Sequence, residues 1–286
     1  MAVHKHTYKD YTGPRTPAWS RFLVLARFGF ARVYHLKFLF LFSIGCLFYP
    51  LVCAAYIYLS HNPSFLALFS IPADRLPHVD GRFFYFYSIV QGALAYLLTA
   101  FVEPVLVTPD FANGAMPLYF SRPFSRAEYV AGRISVLLIL LSLITWIPGL
   151  VLFAIQSSIE GWDWMTGNLW LASAIVSGLF VWIVVLSLIG LALSAWVRWK
   201  IGAGALVLGV IFAGAGFGAA INSLMRTNYG ALIDLTQVAH TIWSYLFRYD
   251  TGTEMSLTSA WIVLVVTCVI CLWLLAKRIR PFEVIK

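Results

Sequence analysis

Six uninterrupted apolar stretches constrain this sequence more than any other feature. They cover roughly residues 38–59, 83–107, 134–155, 169–197, 201–224 and 257–276. A helix needs about 20 apolar residues to cross a bilayer, so each stretch is long enough to form one span. A transmembrane barrel needs segments of about 10 residues that alternate polar and apolar side chains, whereas residues 136–141 are all apolar. Because only a helix satisfies its backbone hydrogen bonds within one segment in lipid, the sequence predicts an all-α membrane protein with six transmembrane helices.

The composition excludes a soluble protein. Hydrophobic residues make up 61% of the 286 residues and charged residues only 11%, whereas a soluble domain carries about 25% charged residues. The short connections leave no room for a separate soluble domain. We therefore expect a single transmembrane domain over residues 1–286, made of a tail with an interfacial helix (1–37), a six-helix bundle (38–276) and a second tail (277–286).

Most Lys and Arg residues lie on one side of this bundle. Only Arg75, Arg82, Arg226 and Arg248 fall on the other side, so sixteen of the 20 cations lie before span one, between spans two and three, between spans four and five, or after span six. Cytoplasmic loops carry the excess of Lys and Arg, so we expect a multi-pass protein of the cell (inner) membrane with both termini in the cytoplasm. This topology signal explains the net charge of +8 without a nucleic-acid partner, and none is predicted.

Residues 19–37 differ from the apolar spans. Arg21, Arg27 and Arg32 interleave there with aromatic and aliphatic residues. Three arginines are costly inside hydrocarbon, which favours a helix in the headgroup plane whose arginines reach the phosphates of membrane lipids. The alternative is a ragged start to span one.

The segment between spans two and three, residues 110–133, is too apolar to be only a linker. Pro109 followed by Asp110 as an N-cap predicts a short helix over residues 111–118. Pro123 ends any such helix. Ser125 and Glu128 then form a capping-box pattern, which predicts a new helix that runs into span three. The mixture of apolar and basic residues suits docking into a groove on another protein, and the alternative is a loop that lies on lipid.

This segment resembles the second cytoplasmic segment of the permease subunits of type-2 ATP-binding cassette (ABC) transporters, which are mostly exporters. Arg133 takes the place of the usual Lys and keeps its charge, whereas the Glu103-Pro104 pair at the end of span two is less typical of the family. The matching residues are Asp110, Gly114, Pro117, Leu118, Tyr119, Ser121, Arg122, Pro123, Ser125, Arg126, Glu128, Tyr129 and Gly132.

The resemblance implies that this segment is a coupling helix that docks on a separate cytoplasmic ABC ATPase. Two such ATPases and a second permease, identical or related, would complete an exporter. The sequence has no Gly-x-x-x-x-Gly-Lys-Ser/Thr phosphate loop, so ATP and Mg²⁺ are expected on the partner ATPase and this chain is not itself an enzyme. The alternative function is a non-transporting membrane scaffold or assembly subunit that docks the same ATPase.

Few residues in the spans are suited to chemistry, and no catalytic, cofactor-binding or metal site is predicted. Glu103 is the one acid near a span core, and we favour a structural pairing with Arg122 or Arg126. The cysteines at 46, 53, 268 and 271 have helical spacing within spans one and six and are expected to act as small hydrophobic residues.

Two further patterns concern helix packing. Gly204, Gly209, Gly214 and Gly218 in span five predict a face for close helix approach, which serves either a seam between two permeases or a flexible gate, or packing within the subunit. Residues 231–238 and 240–247 are apolar but too short to span, so we expect short re-entrant or interfacial helices before span six. In the family that the chain resembles, such helices form an external lid.

Overall fold

The computed structural model describes residues 20–62, 76–121, 125–252 and 255–279. Within these ranges every regular element is a helix, which confirms the all-α class. Besides a 3₁₀ turn at Tyr229–Leu232, the helices are Arg21–His35, Lys37–Gly45, Phe48–Ser60, Gly81–Leu106, Thr108–Ala112, Met116–Phe120, Arg126–Ile144, Trp146–Glu160, Trp162–Gly167, Leu169–Trp196, Lys200–Met225, Leu235–Leu246 and Leu257–Arg278.

Six helical spans are long and apolar enough to cross a membrane, as the sequence predicts. Spans one to six cover Lys37–Ser60, Gly81–Ala112, Arg126–Glu160, Leu169–Trp196, Lys200–Met225 and Leu257–Arg278. More than half of the most apolar window is buried in spans two, three and four (61%, 56% and 72%), against 28%, 17% and 22% in spans one, five and six. The first group therefore forms the centre of the bundle, and the second group presents most of its apolar surface to the surroundings.

The N-terminal helix, Arg21–His35, is an element separate from span one. Leu36 divides the two with an extended backbone (φ −87°, ψ 101°), so the helix is not a ragged start to the span. Two glycines let it lie close against span three. A Cβ atom at Gly132 would come within 3.0 Å of Leu25, and one at Gly29 within 2.7 Å of Val136.

Spans one and three are each broken near the middle, which the sequence analysis did not predict. Span one divides between Lys37–Gly45 and Phe48–Ser60, and span three divides between Arg126–Ile144 and Trp146–Glu160. Pro50 and Pro148 each occupy the third position of the second half. Proline has no N–H to donate to the preceding turn and is tolerated in a first turn, so both prolines favour a new helix start at these places.

A single side chain of span two donates hydrogen bonds to main-chain carbonyls at both breaks. Gln91 is fully buried, and its Nε2 donates hydrogen bonds to the main-chain carbonyls of Cys46 (3.0 Å) and Ile144. One turn away, the Tyr87 hydroxyl donates to the carbonyl of Thr145 (2.7 Å). Carbonyls freed by a helix break need a partner in a membrane interior, and span two supplies it.

The glycines of span five pack mainly within the subunit. A Cβ atom at Gly204 would lie 2.8 Å from the Ala100 carbonyl of span two, where Pro104 cannot supply the usual helix hydrogen bond. Cβ atoms at Gly214 and Gly218 would meet carbonyls of the segment at 230–233, 2.8 Å and 2.5 Å away, whereas Gly209 has no neighbour within 4 Å. Three of the four glycines thus pack against other segments of the same subunit, which was one of the predicted alternatives.

Short helices precede span six, as expected, but their bounds differ from the predicted 231–238 and 240–247. Asp234 accepts hydrogen bonds from the backbone of Thr236 (2.9 Å) and Gln237 (3.4 Å). It is therefore the N-cap of Leu235–Leu246 and separates this helix from the 3₁₀ turn. His240 lies in this helix against the rings of Tyr85 and Trp243, and burial lowers its pKa below 6.5.

Candidate functional site

The end of span two and the segment after it form two short helices rather than the single predicted helix over residues 111–118. Thr108–Ala112 and Met116–Phe120 are separated at Gly114, which has φ +64°. This left-handed conformation is accessible to glycine and strained for most other residues. The amide of Ala115 donates to the carbonyl of Asp110 (2.9 Å) and closes the turn. We refer to residues 108–120 as the two-helix segment.

Asp110 is not the N-cap that the sequence suggested. Val107 occupies the cap position of Thr108–Ala112, and Asp110 lies inside the helix with only 5% of its surface exposed. Its carboxylate accepts hydrogen bonds from Arg133 and from the Tyr129 hydroxyl, the latter at 2.9 Å. A buried guanidinium requires an anion more strongly than a helix end requires a cap, so the side chain turns inward.

Arg133 and Tyr129 bind Asp110 from the first turns of span three. Arg133 is 3% exposed and Tyr129 is fully buried, and the guanidinium carbon lies 5.7 Å from the centre of the Tyr129 ring. Arg32 of the N-terminal helix adds a longer ion pair to Asp110, at 3.9 Å, from a half-exposed position. Asp110 thus joins the two-helix segment to both span three and the N-terminal helix. We call Asp110, Tyr129 and Arg133 the buried anchor.

Aromatic contacts hold the rest of the segment. The rings of Tyr119 and Tyr129 lie 5.6 Å apart, and burial together with the negative charge of Asp110 raises the pKa of Tyr119, so its hydroxyl stays neutral. The guanidinium of Arg278, at the end of span six, lies 5.6 Å from the Phe111 ring and 5.5 Å from the Trp196 ring. The segment therefore contacts the ends of spans three and six, and Arg278 links it to the end of span four.

The capping box that the sequence predicted at the start of span three is confirmed. The Glu128 amide donates to the Ser125 hydroxyl (3.2 Å), and the Ser125 amide donates to the Glu128 carboxylate (2.5 Å). The helix Arg126–Ile144 begins there and enters the bundle without a break before residue 145. Arg122 and Pro123, which belong to the same sequence motif, lie outside the described residues.

Six other motif residues lie at the surface of this end of the bundle, whereas Gly132 is buried. Leu118 has 73% of its surface exposed, so this side chain is available for contact with lipid or another protein. The motif residues described as exposed are Gly114, Pro117, Leu118, Ser121, Ser125 and Arg126. The motif thus divides into a buried anchor and an exposed surface with apolar and basic character.

Glu103 does not pair with Arg126, one of the two partners that the sequence favoured, and the other, Arg122, lies outside the described residues. It is fully buried, and neither of its carboxylate oxygens has a hydrogen-bond partner among the residues that the structure describes. Arg126 is exposed at the surface, whereas Glu103 lies inside the bundle against Gly190 of span four. Arg133 is the cation whose charge acts on the Glu103 carboxyl group.

The residues of the buried anchor stand out in the sequence, but the contacts between them do not. Asp110 and Arg133 both belong to the motif, yet their separation of 23 positions spans two helices and a turn. The missed signal is that an acid and a basic residue both border apolar spans, where an unpaired charge is costly. In the described part of the chain, no group of three His, Cys, Asp or Glu side chains is placed to hold a metal ion.

Comparison with protein families and with curated proteins finds no match. No family model matches the chain, and no curated protein sequence matches it.

Proposed function

We propose that this chain is the membrane-spanning subunit of an ATP-driven transporter of the type-2 ABC class, acting as an exporter. In this proposal the two-helix segment is the coupling element that docks on a cytoplasmic ATPase. The ATPase, present in two copies, binds ATP and Mg²⁺ and hydrolyses the nucleotide. A second permease subunit, identical or related, completes the translocation path. Both termini and the two-helix segment lie on the cytoplasmic side of the cell membrane.

The observation that carries the proposal is the division of the motif between a buried anchor and an exposed surface. A coupling element needs a surface for its partner and a stiff connection to the spans that it moves. Leu118, 73% exposed, supplies apolar contact area, and Arg126 is an exposed basic residue of the same motif. The pairing of Asp110 with Arg133 ties the same segment to span three. A force applied at the surface is then passed to the bundle rather than absorbed in a loop.

The described cations support the proposed orientation. The positive-inside rule places the basic end of a bundle in the cytoplasm, which is where an ATPase finds its nucleotide. Arg32, Arg126, Arg133, Arg278 and Lys277 all belong to the elements that meet at the two-helix segment or border it. The proposed docking surface and the proposed cytoplasmic face are therefore the same end of the molecule.

Energetically, ATP drives such a bundle only if the ATPase pair binds two bundle conformations with different affinity. Closure of the ATPases on ATP would then favour one conformation, and hydrolysis would release it. Each span contains an 18-residue window with at most two Asp, Glu, Lys or Arg residues, which supports an energy source in a partner rather than in an ion gradient.

The test is co-purification and coupled ATP hydrolysis with each ABC ATPase encoded in the same genome. We expect a complex in mild detergent whose ATPase rate depends on the permease. Leu118→Glu, which places a charge in the proposed contact, should lower complex formation at least tenfold. The matched control is Leu224→Glu, an equally exposed leucine (83%) at the opposite end of span five, which should leave the complex intact.

Two results distinguish the alternatives. Absence of any complex, or equal effects of Leu118→Glu and Leu224→Glu, would refute the docking role of the segment. A stable complex that never moves cargo into or out of sealed vesicles in an ATP-dependent way would instead support the non-transporting scaffold.

A further inference from the structure

Glu103 is a buried acid that the proposed coupling role does not use. It lies in span two, one residue before Pro104, and none of its surface is exposed. Its Cγ atom would lie 2.9 Å from a Cβ atom at Gly190, so span four packs directly against it. The neighbouring hydroxyl of Thr99 already donates to the carbonyl of Ala95 (2.8 Å). Neither carboxylate oxygen has a partner among the described residues.

Two cations at this end of the bundle, Arg133 and Arg32, are already paired with another acid. Asp110 pairs with Arg133 and with Arg32, the latter at 3.9 Å. Glu103 has only the longer-range influence of Arg133. The residue of span four that lies against Glu103 is Gly190, which carries no charge. An ionised carboxylate without a cation or hydrogen bond is strongly disfavoured in such a place, whereas the protonated acid is not.

We propose that Glu103 is a proton-binding site, which holds a proton in this conformation at neutral pH and releases it when Arg133 leaves Asp110. Protonation removes the unpaired buried charge and leaves a neutral acid. The ligand is a single proton, exchanged between Glu103 and water.

Arg133 is the residue that makes release of the proton possible. Its Nε is buried and has no hydrogen-bond partner among the described residues, while Nη2 is bound to Asp110. If the two-helix segment withdraws Asp110, the buried guanidinium loses its anion. Glu103 then ionises, its O–H bond breaks, the proton passes to water, and the carboxylate becomes the new partner of Arg133. No electrons are transferred and no other reactant is needed.

The test uses infrared spectroscopy of the purified full chain in lipid nanodiscs, without any ATPase. A protonated carboxylic acid has a carbonyl stretching band that an ionised carboxylate lacks, and a solvated glutamate is ionised at neutral pH. We expect wild-type protein at neutral pH to show this band. Glu103→Gln, which is nearly isosteric with the neutral acid, should remove it, and Glu103→Met provides the same comparison if the Gln variant does not fold.

Two further variants complete the experiment. Glu160→Gln makes the same chemical change at a partly exposed glutamate paired with His61, and it should leave the band unchanged. Asp110→Asn removes the anion of Arg133 and should abolish the band by drawing the charge of Arg133 to Glu103. Absence of the band in the wild type, or its persistence in the Glu103 variants, would overturn the proton site. Persistence of the band in folded Asp110→Asn protein would overturn the exchange with Arg133.

Discussion

Loss of one partner from the buried pair of Asp110 and Arg133 should destabilise the protein strongly. The two side chains are 6% and 4% exposed. Removal of one partner from a buried ion pair costs about 3–5 kcal/mol, because the other charge stays buried. We expect Arg133→Met to lower the free energy of unfolding by about 3 kcal/mol, the lower end of this range. The reason is that the Tyr129 hydroxyl and Arg32 remain beside Asp110. The double variant Asp110→Asn/Arg133→Met should be much less unstable than the sum of its single changes.

The assay is a double-mutant cycle measured by unfolding in mixed micelles, with helix content followed by circular dichroism. Residues in direct contact give coupling energies of about 0.5–3 kcal/mol, and we expect a value at the upper end. The control is the half-exposed pair of His61 and Glu160, 3.0 Å apart, for which Glu160→Gln should change stability by less than about 1 kcal/mol. A coupling energy below about 0.5 kcal/mol for Asp110 and Arg133 would refute the reasoning.

Three further changes test other parts of the structure by the same unfolding assay. Gln91→Leu leaves two buried carbonyls without their donor and should cost about 2–4 kcal/mol, whereas no loss of stability would contradict the role of this amide. Gly218→Ala, which places a Cβ atom against a backbone carbonyl, should cost about 1–3 kcal/mol, but Gly209→Ala should be neutral or stabilising by up to about 1 kcal/mol. Because burial lowers the pKa of His240, the unfolded chain takes up the proton first as pH falls below 6.5. Stability should therefore decrease from there down to the lowered pKa, and His240→Phe should flatten that part of a pH titration.

The spans were predictable because their signal is long and needs no partner. Six apolar stretches gave six spans whose bounds agree with the structure to within a few residues, apart from the extended ends of spans two and three. The breaks in spans one and three were not predicted, although Pro50 and Pro148 lie within the apolar stretches. Hydropathy averages over such a break, because the residues around it remain apolar.

The candidate site was predictable in part. The Ser125 capping box depends on residues three apart, and the structure contains it. The predicted N-cap at Asp110 was wrong because a contact with Arg133, 23 positions away, takes the same carboxylate. Local rules assign Asp110 to the helix end, and tertiary pairing overrides them. The pairing expected between Glu103 and Arg126 is absent because Arg126 is exposed at the surface, whereas Glu103 is fully buried.

The single amide at position 91 has a consequence for how this sequence can change over time. Its Nε2 is bonded to the carbonyls of residues 46 and 144 together, and no apolar side chain offers a donor for either. A mutation at position 91 therefore harms two helices at once, and straightening one of them repairs only half of the damage. We therefore expect an apolar substitution at position 91 to be tolerated best when both proline-marked breaks are also removed.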